Sequence, residues 1–298
     1  MVGIAFDNFS GNSGDEAIGI SVKKMLHSIN RDYYELYSSS DTKKYDSIII
    51  GGGHLIRERT PDSVYNQFRI EGKHILNAMG IHGNPKDLYY LNEYKYVSVR
   101  SKGDREKIAY IDNVSIVPCT SMLLEDDQKY TLRVKPQTIG IHIYPELFSP
   151  SEMEQFIGWC KSLIVQGNHI SFIPITLYRN DAALFKPIVD QIGEGCTLFP
   201  QMGAVELYTF IGQLTQMITY SLHGAIFAYA HNIPFLLANV YEKNQFFMED
   251  RGLLESTFKT IPELLHIFDP GKKIDYSSLI QADLQILREH TYIINSVL

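Results

Sequence analysis

Ser221-Leu222-His223-Gly224 is the segment of this chain best placed to do chemistry. It follows an apolar run of strand length, residues 217–220. It precedes residues 225–229, which have helical composition and stop before Ile233-Pro234. The spacing therefore puts His223 and Gly224 where a parallel strand hands over to a helix. Free N–H groups and the positive dipole end at a helix start suit a phosphate or a carboxylate. An imidazole held there both binds an anion and moves a proton near neutral pH. Spacing alone fits equally well a histidine that merely caps the turn.

Other candidates recur along the chain. Gly11-Asn12-Ser13-Gly14-Asp15-Glu16 is a glycine-bearing loop able to approach a ligand closely. It matches neither GxxxxGK[ST] nor GxGxxG. Its carboxylates, Asp15 and Glu16, repel a bare phosphate and suit sugar hydroxyls, although acids at a helix start also simply stabilise the dipole. Ile48-Ile49-Ile50 runs into Gly51-Gly52-Gly53, whose amides suit a ligand, with His54, Arg57 and Arg59 behind them. The plainer account of the glycines is a sharp turn. Arg100, directly after Val97-Ser98-Val99, offers a bidentate guanidinium for carboxylate or phosphate. Alternatively it pairs with an interior acid, and Lys102 and Arg105 beside it read as solvated charge. Lys243 follows the apolar run 235–238 closely enough to reach the same edge, unless it is a surface lysine. His54, His74 and His82 are scattered, without HExxH spacing, so nothing in the sequence demands a metal.

The elements that must position these groups alternate. Strands are predicted at residues 2–6, 47–50, 75–79, 96–99 and 114–117, with a helix over 17–29 carrying Ile18, Val22, Met25, Leu26 and Ile29 on one face. A polar stretch, residues 125–137 with Lys129, Arg133, Lys135 and Pro136, interrupts the pattern and marks the domain boundary. The alternation then restarts. Strands are expected at 139–144, 170–175, 217–220 and 235–238. A helix over 151–165 opens on a capping box of Ser151 and Glu154, another covers 204–214, and the tail 277–297 reads as one amphipathic helix. The expected fold is α/β, with two Rossmann-like domains whose parallel sheets face a cleft, residues 1–132 and 133–298. The last helix, about 277–297, is free to pack back on the first domain. Every candidate above falls at the carboxyl end of a predicted strand, where open α/β sheets bind their ligands.

Composition narrows the classes. A chain of 298 residues accommodates two domains, and 45% hydrophobic with 20% charged residues is ordinary for a globular protein. A net charge of −7 argues against a nucleic-acid or membrane-surface role, so an anionic substrate must be held by local cations. Cys119, Cys160 and Cys196 lie far apart, as reduced thiols of a cytosolic protein would. No signal peptide and no spanning apolar run is seen, so the expected location is the cytoplasm. The 19 tyrosines suit sugar stacking, although most aromatic rings belong to core packing.

Taken together and in order, six elements of the chain resemble the polysaccharide pyruvyltransferases. They are Gly11-Asn12-x-Gly14-Asp15-Glu16-Ala17, Ile49-Ile50-Gly51-Gly52-Gly53, Val97-Ser98-Val99-Arg100, the Ser221-Leu222-His223-Gly224 block running on to Ala228, Ile233-Pro234, and Tyr241-x-Lys243. The resemblance implies a GT-B-like fold, with the acceptor side in the first domain and the donor side in the second. It implies transfer of pyruvate from phosphoenolpyruvate to a sugar of a bacterial surface glycan (capsule, exopolysaccharide or cell wall) or its precursor. A cyclic ketal forms and phosphate is released, with phosphoenolpyruvate as co-substrate and no cofactor.

That chemistry suggests roles. His223 is expected as general acid or leaving-group partner, Asp15 to orient or deprotonate the acceptor hydroxyl, and Arg100 to stabilise charge. Arg100, Ser221, His223, Gly224 and Lys243 are expected to bind the donor. Asn12, Asp15, Glu16, Gly52, Gly53 and His82 are expected to bind a nucleotide-linked, lipid-linked or polymeric acceptor, with peripheral membrane contact only through a lipid-linked one. The chain departs from the family pattern at Ser221, where an arginine is frequent, and at Ile81-His82-Gly83-Asn84, where small residues are commoner. Two alternatives stand beside this reading. One is a GT-B glycosyltransferase using a nucleotide sugar, with Glu242 or Glu249 on the donor ribose. The other is a non-catalytic glycan-binding relative, suggested by Ser221.

Overall fold

A computed structural model of the chain describes residues 1–37, 41–131, 135 and 137–298. Arg133, Pro136 and the boundary expected at 132/133 lie outside the described residues. The chain divides into two compact units. The first comprises Met1–Phe9, Asp15–Leu124 and Gln281–Leu298, and the second comprises Ser10–Gly14 and Glu125–Ile280. Gly11 to Gly14 of the glycine loop, expected with the first domain, thus fall in the second unit, while Asp15 and Glu16 fall in the first.

In chain order the first half carries β1 (Val2–Ala5), α1 (Ser13–Ser28), β2 (Tyr33–Glu35), β3 (Ser47–Gly51), β4 (Ile56–Arg57), β5 (Ile75–Met79), β6 (Ile81–His82), β7 (Tyr96–Val99), α2 (Lys102–Lys107) and β8 (Val114–Ile116). Its main sheet is six-stranded, in the order β2-β1-β3-β5-β7-β8, with every pairing parallel. The order turns back between β1 and β3. β3 and β5 are buried at every position, which is why both are mainly apolar, Ser47 and Asn77 aside, rather than alternating.

The second half carries β9 (Thr138–His142), α3 (Pro150–Val165), β10 (His169–Phe172), α4 (Asp181–Ile192), β11 (Cys196–Leu198), α5 (Ala204–Ile211), β12 (Gln216–Thr219), α6 (Leu222–Ala230), β13 (Phe235–Ala238), α7 (Glu242–Arg251), β14 (Thr257–Phe258), α8 (Ile261–Ile267) and α9 (Ser277–Val297). Its sheet, β11-β10-β9-β12-β13-β14, is again parallel throughout and turns back between β9 and β12. Each unit has its own apolar core. One is built around Ile48, Ile50, Leu76 and Val99, the other around Ile141, Phe156, Phe172 and Ile218.

The strands expected at 139–144 and 170–175 end earlier, at His142 and Phe172, and three helix ends also differ from expectation. Helix α1 starts at Ser13 rather than at 17, because Asn12 Oδ1 accepts from the Gly14 N–H at 2.8 Å and caps it there. Most of the expected loop is therefore first-turn helix. The capping box of α3 uses Ser149 and Glu152, two residues before the expected pair, with Pro150 at the first helical position where its missing N–H costs nothing. Helix α5 stops at Ile211, with Gly212 closing it, short of the expected 214.

Helix α9 supplies a buried histidine to the first unit. His290 Nε2 donates to Asn77 Oδ1 at 2.7 Å, and Nδ1 accepts from the Tyr96 hydroxyl at 3.2 Å. Burial favours the neutral ring and holds its pKa down from 6.5 to about 4. Because the folded-state pKa lies below the unfolded one, this contribution is complete above pH 6.5 and is lost as the pH falls toward 4. We expect urea unfolding on either side of pH 6.5 to show the loss. Its limit is roughly 3 kcal/mol. The neutral variant His290→Gln should remove that portion of the pH dependence.

Candidate functional site

In the second unit, the sheet turns back where the chain leaves β9 and β12, and both exits carry histidines. After β12 the Thr219 hydroxyl accepts from the Ser221 N–H at 2.9 Å and donates to the Ser221 carbonyl at 3.1 Å, which fixes the entry into α6. Ser221 is the N-cap residue, and its side chain makes no capping bond. His223 lies in that turn and is buried. Its imidazole packs on the backbone of Gly14, where a Cβ would strike the ring, so only glycine fits.

The loop that carries Gly14 is stitched to the chain beyond β10. Ser13 N–H donates to Ile175 O at 3.2 Å, Leu177 N–H donates to Gly11 O at 3.1 Å, and Asn12 bridges Thr176. The Ser13 hydroxyl donates to Met202 O at 2.9 Å. The 175–177 turn is itself held by Asp181. Its Oδ2 accepts from the N–H groups of Ile175 and Thr176 at 3.0 and 2.8 Å and from His142 Nε2 at 3.1 Å. Burial alone would raise the Asp181 pKa, but the bonds from His142 and the two amides outweigh it and leave the net shift downward. Asp181 and His142 are wholly enclosed, and neither was singled out in the sequence. The available signal was a histidine closing the apolar strand Ile139 to Ile141. Nearby, Arg179 stacks over the Tyr144 ring at 3.9 Å and pairs with Glu146, a further unanticipated cation at this edge.

In the first unit the corresponding edge gathers Gly53, His54, Arg57, His82 and Arg100. Gly52 and Gly53 have φ of 58° and 69°, the left-handed region that explains two of the three glycines. Asp15 sets its carboxylate against Gly53, where a Cβ would come within 2.6 Å of Oδ1. The Arg100 guanidinium and the His54 ring both lie against the backbone of Gly80. His54 and His82 meet edge to face at 5.8 Å. The short β4–β6 ladder pairs Arg57 with His82.

A bulge in β5 re-aims this corner. Ala78 sits at φ 43°, and its N–H, without a ladder partner, donates to Ser98 Oγ at 2.8 Å. The Ser98 hydroxyl donates onward to Leu76 O at 2.8 Å. Ser98 thus has a structural reason to interrupt the valines of β7. Arg100 is buried and faces Asp104 at 3.9 Å, so the interior acid considered above is present. Glu16 and Lys102 are exposed, and Lys243, in the first turn of α7, lies 5.5 Å from the Tyr241 ring. His74 is a core residue accepting from the Ile48 N–H. Among the described residues no three His, Cys, Asp or Glu side chains stand as a metal site, and no helix is long and apolar enough to cross a membrane.

Two parallel doubly wound sheets define a GT-B-like class, and solved structures agree. UDP-GlcNAc 2-epimerase of Methanocaldococcus jannaschii, in complex with UDP-GlcNAc and UDP, is similar with a TM-score of 0.57 at 11% identity, covering 98% of this chain and 99% of that one. A putative UDP-N-acetylglucosamine 2-epimerase of Listeria monocytogenes gives 0.53 at 10% identity, over 99% and 90%. An uncharacterised protein of Klebsiella pneumoniae gives 0.51 at 18% identity, over 83% and 86%. No curated protein sequence matches the chain. The family model for polysaccharide pyruvyl transferase matches residues 12–240, and the chain belongs to that family.

The contact between Gly14 and His223 makes a direct prediction. In Gly14→Ala the added methyl must displace the ring. We expect a shifted His223 resonance in imidazole-detected NMR and a destabilisation of about 1–3 kcal/mol in urea melts. An unmoved resonance would contradict the packing described.

Proposed function

We propose that this family member moves pyruvate from phosphoenolpyruvate to a sugar of a bacterial surface glycan or its precursor, closing a cyclic ketal and releasing phosphate. The observation that carries the reading is His223, buried in the first turn of α6, whose N-cap residue Ser221 makes no side-chain capping bond, at the turning point of the second sheet. Membership of the family supports the same chemistry. The donor's phosphate and carboxylate each need cations or clustered N–H groups. The start of α6 around Gly224, with Ser221 and Lys243 in the same unit, is assigned to the donor.

In the proposed sequence the donor's methylene carbon takes a proton, a sugar hydroxyl attacks C2, and phosphate leaves. A second hydroxyl then closes the ring, each hydroxyl giving up its proton. His223 is assigned the proton transfer to the donor or to its departing phosphate, and Arg100 the stabilisation of charge developing beside that phosphate. Asp15, on the helix start of the first unit and against Gly53, is assigned to the acceptor hydroxyl. Asn12, Glu16, Gly52, Gly53 and His82 are assigned to the rest of the acceptor. The enzyme is a transferase in this reading, working in the cytoplasm with no cofactor beyond its co-substrate.

Isothermal calorimetry tests it. Wild-type protein is expected to bind phosphoenolpyruvate saturably, and Arg100→Ala to bind it about tenfold or more weakly. His223→Ala is expected to lower turnover by about 10²–10⁴-fold once an acceptor is in hand. A folded wild-type chain that ignores phosphoenolpyruvate, with and without candidate glycans, would refute the proposal.

A further inference from the structure

A cavity of about 240 Å³ opens at the carboxyl ends of β1 and β2, wholly within the first unit. Phe6 and Phe9, just past β1, line it with Tyr37, just past β2, and Phe68 from the segment before β5. Asn8 and Gln67 bring carboxamides to its lining and Tyr37 a hydroxyl, and no charged residue lines it among the described residues. Phe9 and Phe68 lie nearly parallel, 15° apart with centroids at 6.3 Å. Phe9 is 49% exposed and Tyr37 62% exposed, unusual for large rings with a cavity beside them.

These features select an occupant. A neutral wall excludes phosphate and carboxylate, which would be desolvated there without a counter-charge. The volume falls below the ~300–1,000 Å³ typical of drug-sized ligand sites, at the scale of one hexose. A pyranose has an apolar C–H face that suits aromatic rings and a hydroxyl rim that suits carboxamides, which donate and accept. The cavity also borders β1, next to the point at which the first sheet turns back.

We infer that this aromatic pocket is the subsite for a single neutral hexopyranose of the acceptor, held by stacking on Phe9 and Tyr37 and by hydrogen bonds to Asn8 and Gln67. This deepens the acceptor half of the proposed function and rests on it.

The test is saturation-transfer NMR on the full chain, with a panel of methyl and p-nitrophenyl glycosides of glucose, galactose, mannose and their N-acetylated amines. At least one methyl glycoside is expected to bind through its ring C–H protons. Affinity should fall about tenfold in Phe9→Ala and in Tyr37→Ala. Gln67→Ala should weaken binding while changing which protons saturate. Urea melts confirm the fold of each variant; Phe9 and Tyr37 are exposed enough that truncation leaves the core intact.

Binding indifferent to these variants, or saturation concentrated on the nitrophenyl group, would overturn the assignment. Phosphoenolpyruvate calorimetry on the wild-type chain runs in parallel. Donor binding with no glycoside bound overturns the pocket alone. Glycoside binding that depends on Phe9, without donor binding, upholds the pocket and sinks the pyruvyl reading.

Discussion

One carboxylate oxygen, Oδ2 of Asp181, receives the backbone N–H groups of Ile175 and Thr176 together with the His142 ring. The chain leaves the β10 ladder after Phe172, so those two amides, both on buried residues, have lost their strand partners. Each buried N–H left without an acceptor costs about 1–3 kcal/mol. A charged acceptor with three donors is among the few groups that can be enclosed without a large penalty of its own. The turn it fixes is the template on which residues 11 to 13 lie, and that loop in turn puts Gly14 against His223. Ile175 also packs beside Gly224 at the start of α6. The geometry around the candidate histidine therefore depends on a pair of residues with no exposure of their own.

The first unit solves the same problem with a hydroxyl. Its β5 ladder breaks at Asn77 and Ala78, and Ser98 of the neighbouring strand supplies both an acceptor and a donor at the break. The bulge frees Asn77 to meet Thr120 and His290, while the chain beyond it brings Gly80 under Arg100 and His54. In both units an irregular strand end is stabilised by one buried side chain, and the groups suited to chemistry project from the irregularity. Such bulges and turns recur where a fold must aim a side chain.

Much of this architecture was legible in the sequence, and the exceptions have physical causes. Fully buried parallel strands such as β3, β5 and β12 announce themselves as apolar runs, and glycines at φ 58° and 69° mark the end of β3 because few other residues tolerate that backbone. Edge strands β2 and β11 are half-buried and three residues long, too short for any periodicity to register. Pro187 inside α4 disguised a real helix. His223 and Arg100 were visible because glycine or an apolar run brackets them. Asp181 was not, since a lone aspartate after Asn180 looks like any loop residue, and its partner His142 is distant in sequence. The aromatic pocket was illegible for the same reason: Phe9, Tyr37 and Phe68 belong to three separate segments. Ser98 was noticed as part of a motif, yet its purpose appears only once the bulge opposite it is seen.

Neither unit is a continuous stretch of chain. The first needs Gln281–Leu298, and without them Asn77 and Tyr96 have no His290 to meet. The second needs Ser10–Gly14, which precede the bulk of both units in the chain. Domains usually mature on the ribosome from the N-terminus onward. Here that order is inverted: the sheet translated first must wait for residues 281–298, whereas the second unit has every segment it requires once residue 280 is made. Loss of residues 281–298 would therefore damage the sheet built from residues 1–124 rather than the one that directly precedes them in the chain.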